Sequence, residues 1–337
     1  MAPASGGRYN EIVILVLGGT KFLGRHIVEV LAAAGHPTVR FHRGQTQCEL
    51  PAGVEERLGD RNADVSAIVD ESWDAVVDVA AMEPANLERT LELRCKRYVF
   101  ISTVSVYTDS ATIGMTEDGP VCETFDPNDE AQRYGGNKVA CERLVRERFG
   151  DRATILRPGL IVGPWDHTGR FSYWCERAMR GGAFVAPLPA DQKVQFVDAS
   201  DVAGFVERAI SHDIGGTFNV IGPKETTTMG DLLALCAKAA GERGAPSGKP
   251  VWLESSFLLE RGVKPWSDLP LWLPGDELQG ILQTDRSRAD AAGLELRTGL
   301  ETVRRTMAFL TAHPEFLARG GLTPEREAEL LREAVQA

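Results

Sequence analysis

Tyr134 and Lys138 stand four positions apart in the run YGGNK. Positions i and i+4 share one face of a helix, so this phenol and this ammonium point the same way. A phenol gives up its proton easily only when the phenolate is stabilised, and a neighbouring cation does that. Upstream, the run ISTVSVY carries the hydroxyls of Ser102, Thr103 and Ser105, with Tyr107 just beyond. Phenol, ammonium and hydroxyls together suit proton transfer at an oxygen that gains or loses charge.

Two elements must position these groups. The helix opening at Tyr134 has Val139, Leu144 and Val145 on its apolar side, and the hydroxyls follow a buried strand over 97–102. Carboxyl ends of parallel strands are where open α/β sheets place their chemistry. The sheet itself is announced by IVILVLGGTKFLG at 12–24. Ile12 to Leu17 is short, rich in β-branched residues and bounded by glycine, the pattern of a buried parallel strand. From Phe22 the apolar residues Phe22, Leu23, Ile27, Val30, Leu31 and Ala34 recur at helical spacing until Gly35. Strand, glycine turn and helix open a dinucleotide-binding βαβ unit, with Gly18 turning the chain, Gly24 letting the helix pack closely and the helix N-terminus facing a pyrophosphate. Gly19, Thr20, Lys21, Phe22 and Leu23 complete the expected cofactor turn, Lys21 standing where a middle glycine is common.

A second strand over 38–41 ends in His42-Arg43-Gly44. In NAD-binding units an acid about 20 positions beyond the glycines bonds the ribose, and a nearby arginine accommodates a 2′-phosphate. Here the acid is missing and Arg43 is present, so NADP(H) is expected to be favoured over NAD(H), with His42 beside it. A third strand over 54–58 leads to Asp60 and Arg61 as candidate adenine contacts. A fourth, 73–81, ends in Ala80 and Ala81, small enough for a flat cofactor to approach, with Met82 next on the substrate side. One helix over 84–94 joins it to the fifth. The sixth strand, 153–157, ends in RPGLIVGP, placing Pro158, Gly159 and Leu160 with Ser102 at the cofactor. The segment 165–174 carries Trp165, His167, Arg170 and Trp174, a composition suited to a substrate wall and equally to a loop anchored by aromatics. A further strand is expected over 216–222, a helix over 228–240 and a charged terminal helix capped by Thr323-Pro324.

At 337 residues, 43% hydrophobic and 25% charged, the chain has the make-up of a globular enzyme. Its net charge of -11 argues against a nucleic-acid footprint. The six cysteines form no C-x-x-C pair, as expected of reduced thiols, so neither disulfides nor a metal site are anticipated. Residues 1–11 read as a loose tail without an apolar signal core, and no apolar run reaches membrane-spanning length. A cytoplasmic protein acting on a small molecule, without membrane or nucleic-acid partners, is the expectation.

As a set, the glycine turn, ISTVSVY, Tyr134-x-x-x-Lys138 and RPGLIVGP resemble the extended short-chain dehydrogenase/reductase superfamily, of the NAD-dependent epimerase/dehydratase type, in an atypical branch. The resemblance spans roughly 12–310. It implies a doubly wound parallel Rossmann sheet (12–163, with 194–222 returning to it), a smaller C-terminal substrate-binding subdomain (164–193 and 223–312) and a helical extension over 313–337. It also implies roles: Tyr134 as acid/base, Lys138 holding the nicotinamide ribose and lowering the tyrosine pKa, and Thr103 with Ser105 bonding the reacting oxygen. Sugar-nucleotide dehydratases of the superfamily place Asp-Glu after the catalytic threonine, whereas Val104 and Ser105 follow here, which disfavours water elimination. The short segment between the fourth and fifth strands lacks a helix that usually builds the dimer, leaving monomer or homodimer open. The implied activity is an NAD(P)-dependent carbonyl reductase or alcohol dehydrogenase, with a sugar-nucleotide epimerase holding NAD as the alternative. A non-redox RNA-binding homologue, as in the branch's chloroplast members, is a third.

Overall fold

Short β-branched runs alternating with helices build a parallel sheet, because each crossover helix returns the chain to the same end. The structure, a computed structural model, describes residues 12–126, 128–246, 248–317 and 319–336. The expected tail at 1–11 lies outside the described residues.

Seven strands form the central sheet: β1 (Ile14–Leu17), β2 (Thr38–His42), β3 (Val54–Leu58), β4 (Ser72–Asp78), β5 (Arg94–Ile101), β6 (Ala153–Pro158) and β7 (Gly216–Val220), in the order β3-β2-β1-β4-β5-β6-β7. Pairing is parallel from β3 through to β6. The order reverses between β1 and β4, so the carboxyl ends of these two strands flank the switch point at which such sheets bind ligands. The helices that matter below are α1 (Phe22–Ala33), α2 (Glu130–Phe149), α3 (Ser172–Arg180), α4 (Ala199–Ser211), α5 (Met229–Glu242), α6 (Gly299–Ala312) and α7 (Pro324–Gln336).

The chain divides into two compact units, one of the chain through Val106 with Val121–Arg157 and Ala203–Phe218, the other of Tyr107–Pro120, Pro158–Val202 and Asn219 onward. In the first, Leu15, Val39, Val76, Tyr98, Phe100, Cys141, Val145 and Ile155 join strands to α2 in one apolar cluster. In the second, Phe171, Trp174, Trp272, Leu232, Met307 and Leu330 bring α3, α5, α6 and α7 together. The charged terminal helix is therefore part of a core. Buried Glu327 of α7 accepts Arg177 Nε of α3 at 2.7 Å, while the same guanidinium donates to the carbonyls of Gly181 and Ala183 at 2.6 and 2.5 Å. Thr228 and Asp231 form a reciprocal cap at the start of α5, as Thr298 and Glu301 do for α6.

Three expectations need correction. The helix over 84–94 is replaced by two 3-10 turns, Pro84–Leu87 and Thr90–Glu92. The carbonyl of Asn86, which an α-helix would give to residue 90, accepts Arg61 Nε at 2.7 Å, and the Asn86 carboxamide caps the Met82 N–H at 2.9 Å. The fourth strand stops at Asp78 rather than Ala81, because the Asp78 carboxylate turns the chain by accepting the N–H groups of Ala80 and Ala81. And α2 begins at Glu130, so Tyr134 lies a turn inside the helix instead of opening it.

Candidate functional site

The glycine turn is as tight as its composition implies. Gly18 and Gly19 hold φ of 108° and 88°, which residues with a Cβ rarely adopt. A Cβ on Gly24 would lie 2.8 Å from the Gly19 nitrogen, so only glycine lets α1 start against the turn. Lys21 is the N-cap of α1, which carries no side-chain cap. An uncapped helix start behind a glycine cradle suits the pyrophosphate of a dinucleotide, since backbone N–H groups and the helix dipole both favour an anion there. Thr20 and Phe22 are half-buried, Leu23 buried and Lys21 exposed.

At the end of β2, His42 accepts the Gly44 N–H on Nδ1 at 3.0 Å and meets Glu56 Oε1 of β3 through Nε2 at 2.9 Å. Arg43 is exposed. The missing acid has a neighbour that strand register alone supplies: Glu56 lies beside buried Arg40, which donates to it at 2.5 Å. Hydrogen bonds from Arg40 and His42 hold the Glu56 carboxyl below its usual range, the Arg40 bond contributing most. Arg40 also packs beneath the turn, its side chain 3.2 Å from where a Gly19 Cβ would stand.

Asp60 accepts the Asn62 N–H at 2.9 Å and closes its own turn. Arg61 is committed inward. Its guanidinium makes a two-pronged pair with fully buried Asp78 at 2.7 and 2.5 Å, and Tyr98 Oη donates to the same carboxylate at 2.8 Å. The role expected for Arg61 at an adenine gives way to a structural one beneath the switch point. Ala80 and Met82 are exposed beyond β4, and Ala81 is buried.

The hydroxyl cluster divides by role. Ser102 gives its proton to Glu142 of α2 at 2.5 Å instead of presenting it at a cofactor face. Thr103, 7% exposed, donates to the Ser105 hydroxyl at 3.2 Å and accepts the Ser105 N–H at 3.1 Å, while Ser105 itself is exposed. Facing them is α2. A Cβ on Gly135 would sit 2.1 Å from the Ser105 carbonyl, so glycine at this position lets the helix carrying Tyr134 and Lys138 reach the Thr103–Ser105 turn. Tyr134 is 40% exposed and Lys138 is 3% exposed. The Lys138 ammonium donates to the carbonyls of Ala81 and Ile101 at 2.7 and 2.9 Å and lies 5.0 Å from the centre of the Phe100 ring. Burial lowers its pKa and the charge of Asp78 works against that fall. Within the first unit, then, a buried ammonium, an exposed phenol and two hydroxyls share the ends of β4 and β5 and the face of α2.

The remaining candidates belong to the second unit. Pro158 is buried and Gly159 and Leu160 are half-buried, the Leu160 carbonyl accepting the Val197 N–H at 2.8 Å. Trp174 is a correction: it is 1% exposed on α3, its indole donating to the Pro270 carbonyl at 2.9 Å, and it belongs to the core rather than to a substrate wall. The spacing Phe171, Trp174, Cys175, Ala178 signals a helix face and is the clue that composition obscured. Trp165 packs its ring 4.9 Å from Phe309 and 4.8 Å from His313. His167 and Arg170 are exposed, Arg170 lying over the Trp266 ring at 5.5 Å. Buried carboxylates that no sequence motif announces include Glu142 and Asp166; burial holds the Asp166 carboxyl above its usual range.

Comparison with known proteins agrees with this architecture. Four-fifths or more of the chain aligns with solved structures of the same architecture: the Bordetella bronchiseptica enzyme WbmH in complex with NAD+ (TM-score 0.66, 18% identity, 89% of this chain and 98% of that one) and the UDP-glucuronic acid 4-epimerase of Bacillus cereus in complex with NAD (TM-score 0.64, 18% identity, 89% and 99%). Among curated proteins, a dTDP-4-dehydro-6-deoxy-D-allose reductase from a Streptomyces species is 28% identical over 74% of this chain and 89% of its own length. The chloroplast stem-loop binding protein of 41 kDa b from Arabidopsis thaliana is 27% identical over 69% of this chain, and the 2'-dehydrokanamycin reductase of Streptomyces kanamyceticus 30% over 59%. The chain matches less than two thirds of the length of these last two, 64% and 58%. No helix among the described residues is long and apolar enough to cross a membrane. A family profile described as the NAD dependent epimerase/dehydratase family matches residues 14–92 and 85–221, more than half of the sequence, and the chain belongs to that family.

Proposed function

We propose that the protein is an NADP(H)-dependent oxidoreductase that interconverts a ketone and a secondary alcohol on a sugar-like metabolite, with Tyr134, Lys138 and Thr103 as its working set. The observation that carries this is the convergence of a buried ammonium, an exposed phenol and the Thr103–Ser105 hydroxyls at the ends of β4 and β5. A bound nicotinamide supplies the hydride chemistry. The chain's own residues do the rest. Tyr134 gives a proton to the carbonyl oxygen as charge builds there, Thr103 donates to the same oxygen, and Lys138 stabilises the phenolate left behind. Two of the three Lys138 donors are spent on main-chain carbonyls, which holds the charge in place and leaves a third for a ribose hydroxyl. Gly18 to Gly24 would cradle the pyrophosphate of the bound cofactor.

The substrate class follows the reductase relatives, whose names specify dTDP-4-dehydro-6-deoxy-D-allose and 2'-dehydrokanamycin. NADPH consumption with a panel of nucleotide-linked and free keto-sugars tests the reading: Tyr134→Phe should lose several orders of magnitude in turnover while binding NADPH normally, and full activity in that variant would overturn it. A UDP-glucose 4-epimerase of Azospirillum brasilense, 28% identical over 47% of the chain, keeps the epimerase alternative in view. Mass spectrometry of freshly denatured protein separates the two, since stoichiometric NAD carried through purification supports the epimerase. The net charge of -11 weighs against RNA binding.

Preference for NADP(H) is supported by exposed Arg43 and Lys21, and by Glu56 being balanced by Arg40 and His42 instead of standing as a bare charge at the ribose. One charge-assisted bond to the 2′-phosphate is worth roughly 1.5–3 kcal/mol, about tenfold or more in affinity. Arg43→Ala should therefore lose NADPH affinity by about tenfold and leave NADH unchanged in a fluorescence titration. Equal losses for both cofactors would reject the assignment.

A further inference from the structure

Glu142 is fully buried on α2, four positions beyond Lys138 and eight beyond Tyr134, on the same helix face. Its Oε1 accepts the Ser102 hydroxyl at 2.5 Å and Arg157 Nε at 2.9 Å, and its Oε2 accepts a second Arg157 nitrogen at 2.7 Å and Arg146 at 2.8 Å. Ser102 immediately precedes Thr103, and its backbone N–H donates to the Leu156 carbonyl at 2.7 Å. Arg157 lies on β6. One carboxylate thus ties the end of β5, the end of β6 and the helix of Tyr134 and Lys138 into a closed ring of bonds within the first unit.

Stability alone is a weak reason for such a group. Desolvating a buried carboxylate and its guanidinium consumes most of what their attraction returns, so apolar side chains of similar volume would often hold these elements together as well. Directional bonds do what apolar contacts do not: they select one rotation and one height of the helix against the strand end. We propose that Ser102, Glu142 and Arg157 form a register clamp, and that Ser102 and Glu142 are positioning residues which fix Tyr134 and Lys138 against Thr103. The clamp rests on the reading of Tyr134 as the acid/base given above, and it replaces direct cofactor contact as the task of the Ser102 hydroxyl.

Lys138 feels the clamp through geometry. Its ammonium is seated on the Ala81 and Ile101 carbonyls, and Ile101 adjoins Ser102. The charged and titratable groups around it are Asp78 of β4, Arg61, and Cys141 and Glu142 of α2. A helix that rotates away from Ser102 loosens the ammonium from the Ile101 carbonyl and from the phenol that it stabilises.

Ultraviolet titration of the phenolate tests this without a known substrate. The difference between wild type and Tyr134→Phe isolates the Tyr134 phenol, expected to titrate below the ordinary tyrosine value of about 10. Ser102→Ala, which removes one bond and leaves Glu142 paired with Arg157, should raise that phenol's proton affinity roughly three- to tenfold. NADPH affinity, read by fluorescence, should stay within twofold of wild type. Glu142→Gln, where it folds by circular dichroism, should shift the phenol in the same direction and further. An unmoved phenol in Ser102→Ala overturns the clamp, and so does a loss of NADPH affinity with the phenol unmoved, which returns Ser102 to the cofactor. A wild-type Tyr134 that titrates normally refutes the acid/base reading itself, and the clamp falls with it.

Discussion

Replacing Gly135 with alanine sets two effects of known size against each other. In an exposed helix the change would add about 1 kcal/mol of stability, because alanine is the better helix former. At this position the new methyl would stand 2.1 Å from the Ser105 carbonyl oxygen, and real Cβ atoms essentially never come closer than 3.0 Å, so helix and turn must separate by nearly an ångström. Overpacking of this kind typically costs about 1–3 kcal/mol. The net loss of stability is then modest, roughly 0–2 kcal/mol. The displacement falls between the Thr103–Ser105 turn and Tyr134, however, where an error of about 1 Å costs on the order of a hundredfold in rate. Gly135→Ala should therefore be a nearly stable protein with kcat down about thirtyfold to a hundredfold. Gly204→Ala on α4 is the control, since a Cβ there meets nothing within 4 Å and only the helix-propensity gain remains. Urea denaturation and turnover on the same preparations decide the matter. A Gly135→Ala enzyme within threefold of wild-type kcat would show that α2 does not need its close approach to Ser105.

Two further outcomes come from buried charge. Glu327→Gln leaves the Arg177 guanidinium desolvated without its counter-charge, and should lower unfolding stability by about 3–5 kcal/mol in urea; a loss under 1 kcal/mol would mean that α7 is held by its apolar face alone. Burial pushes the Asp201 carboxyl up to about 6 despite its bonds to Arg297, so the folded chain takes up a proton that the unfolded chain, with its ordinary carboxyl, releases near pH 4. Its contribution is complete below that value and is lost as pH rises through 6, so wild-type stability should fall from pH 4.5 to 6.5 more steeply than that of Asp201→Asn; parallel curves would refute it.

What was legible in the sequence is what rests on periodicity and on glycine. The run Ile14–Leu17, the turn at Gly18 and Gly19 and the helix from Phe22 form as their pattern requires, because each local preference agrees with the sheet around it. The same holds for Tyr134 and Lys138 on one helix. Partners chosen by strand register were illegible. Glu56 reaches Arg40 and His42 only because β2 and β3 lie side by side, and no spacing along the chain announces it. Arg61, standing just after a strand end, has the pattern of a ligand contact, yet Asp78 draws it inward from seventeen residues away. Trp174 was misplaced for a different reason: an aromatic in a polar, glycine-flanked stretch looks exposed until its helical neighbours are counted. Asn86 shows the reverse error, a segment of helical length at 84–94 losing to side-chain bonds that occupy the backbone.

The pairing of Arg177 with Glu327 spans 150 residues of sequence. At the usual pace of synthesis, about 5–20 residues per second, some 8–30 s pass between the appearance of the arginine and that of its counter-ion. During that interval α3 carries a cation destined for burial, and the apolar surface meant for Leu330 lacks its cover. The second unit therefore spends its first seconds on the ribosome with an open flank, a window in which chaperone capture and aggregation compete, whereas the ring of Ser102, Glu142 and Arg157 closes within 55 residues of chain. Slowing translation between the codons of Arg177 and Glu327 should lengthen that window and cost soluble yield, without altering a single contact of the finished molecule.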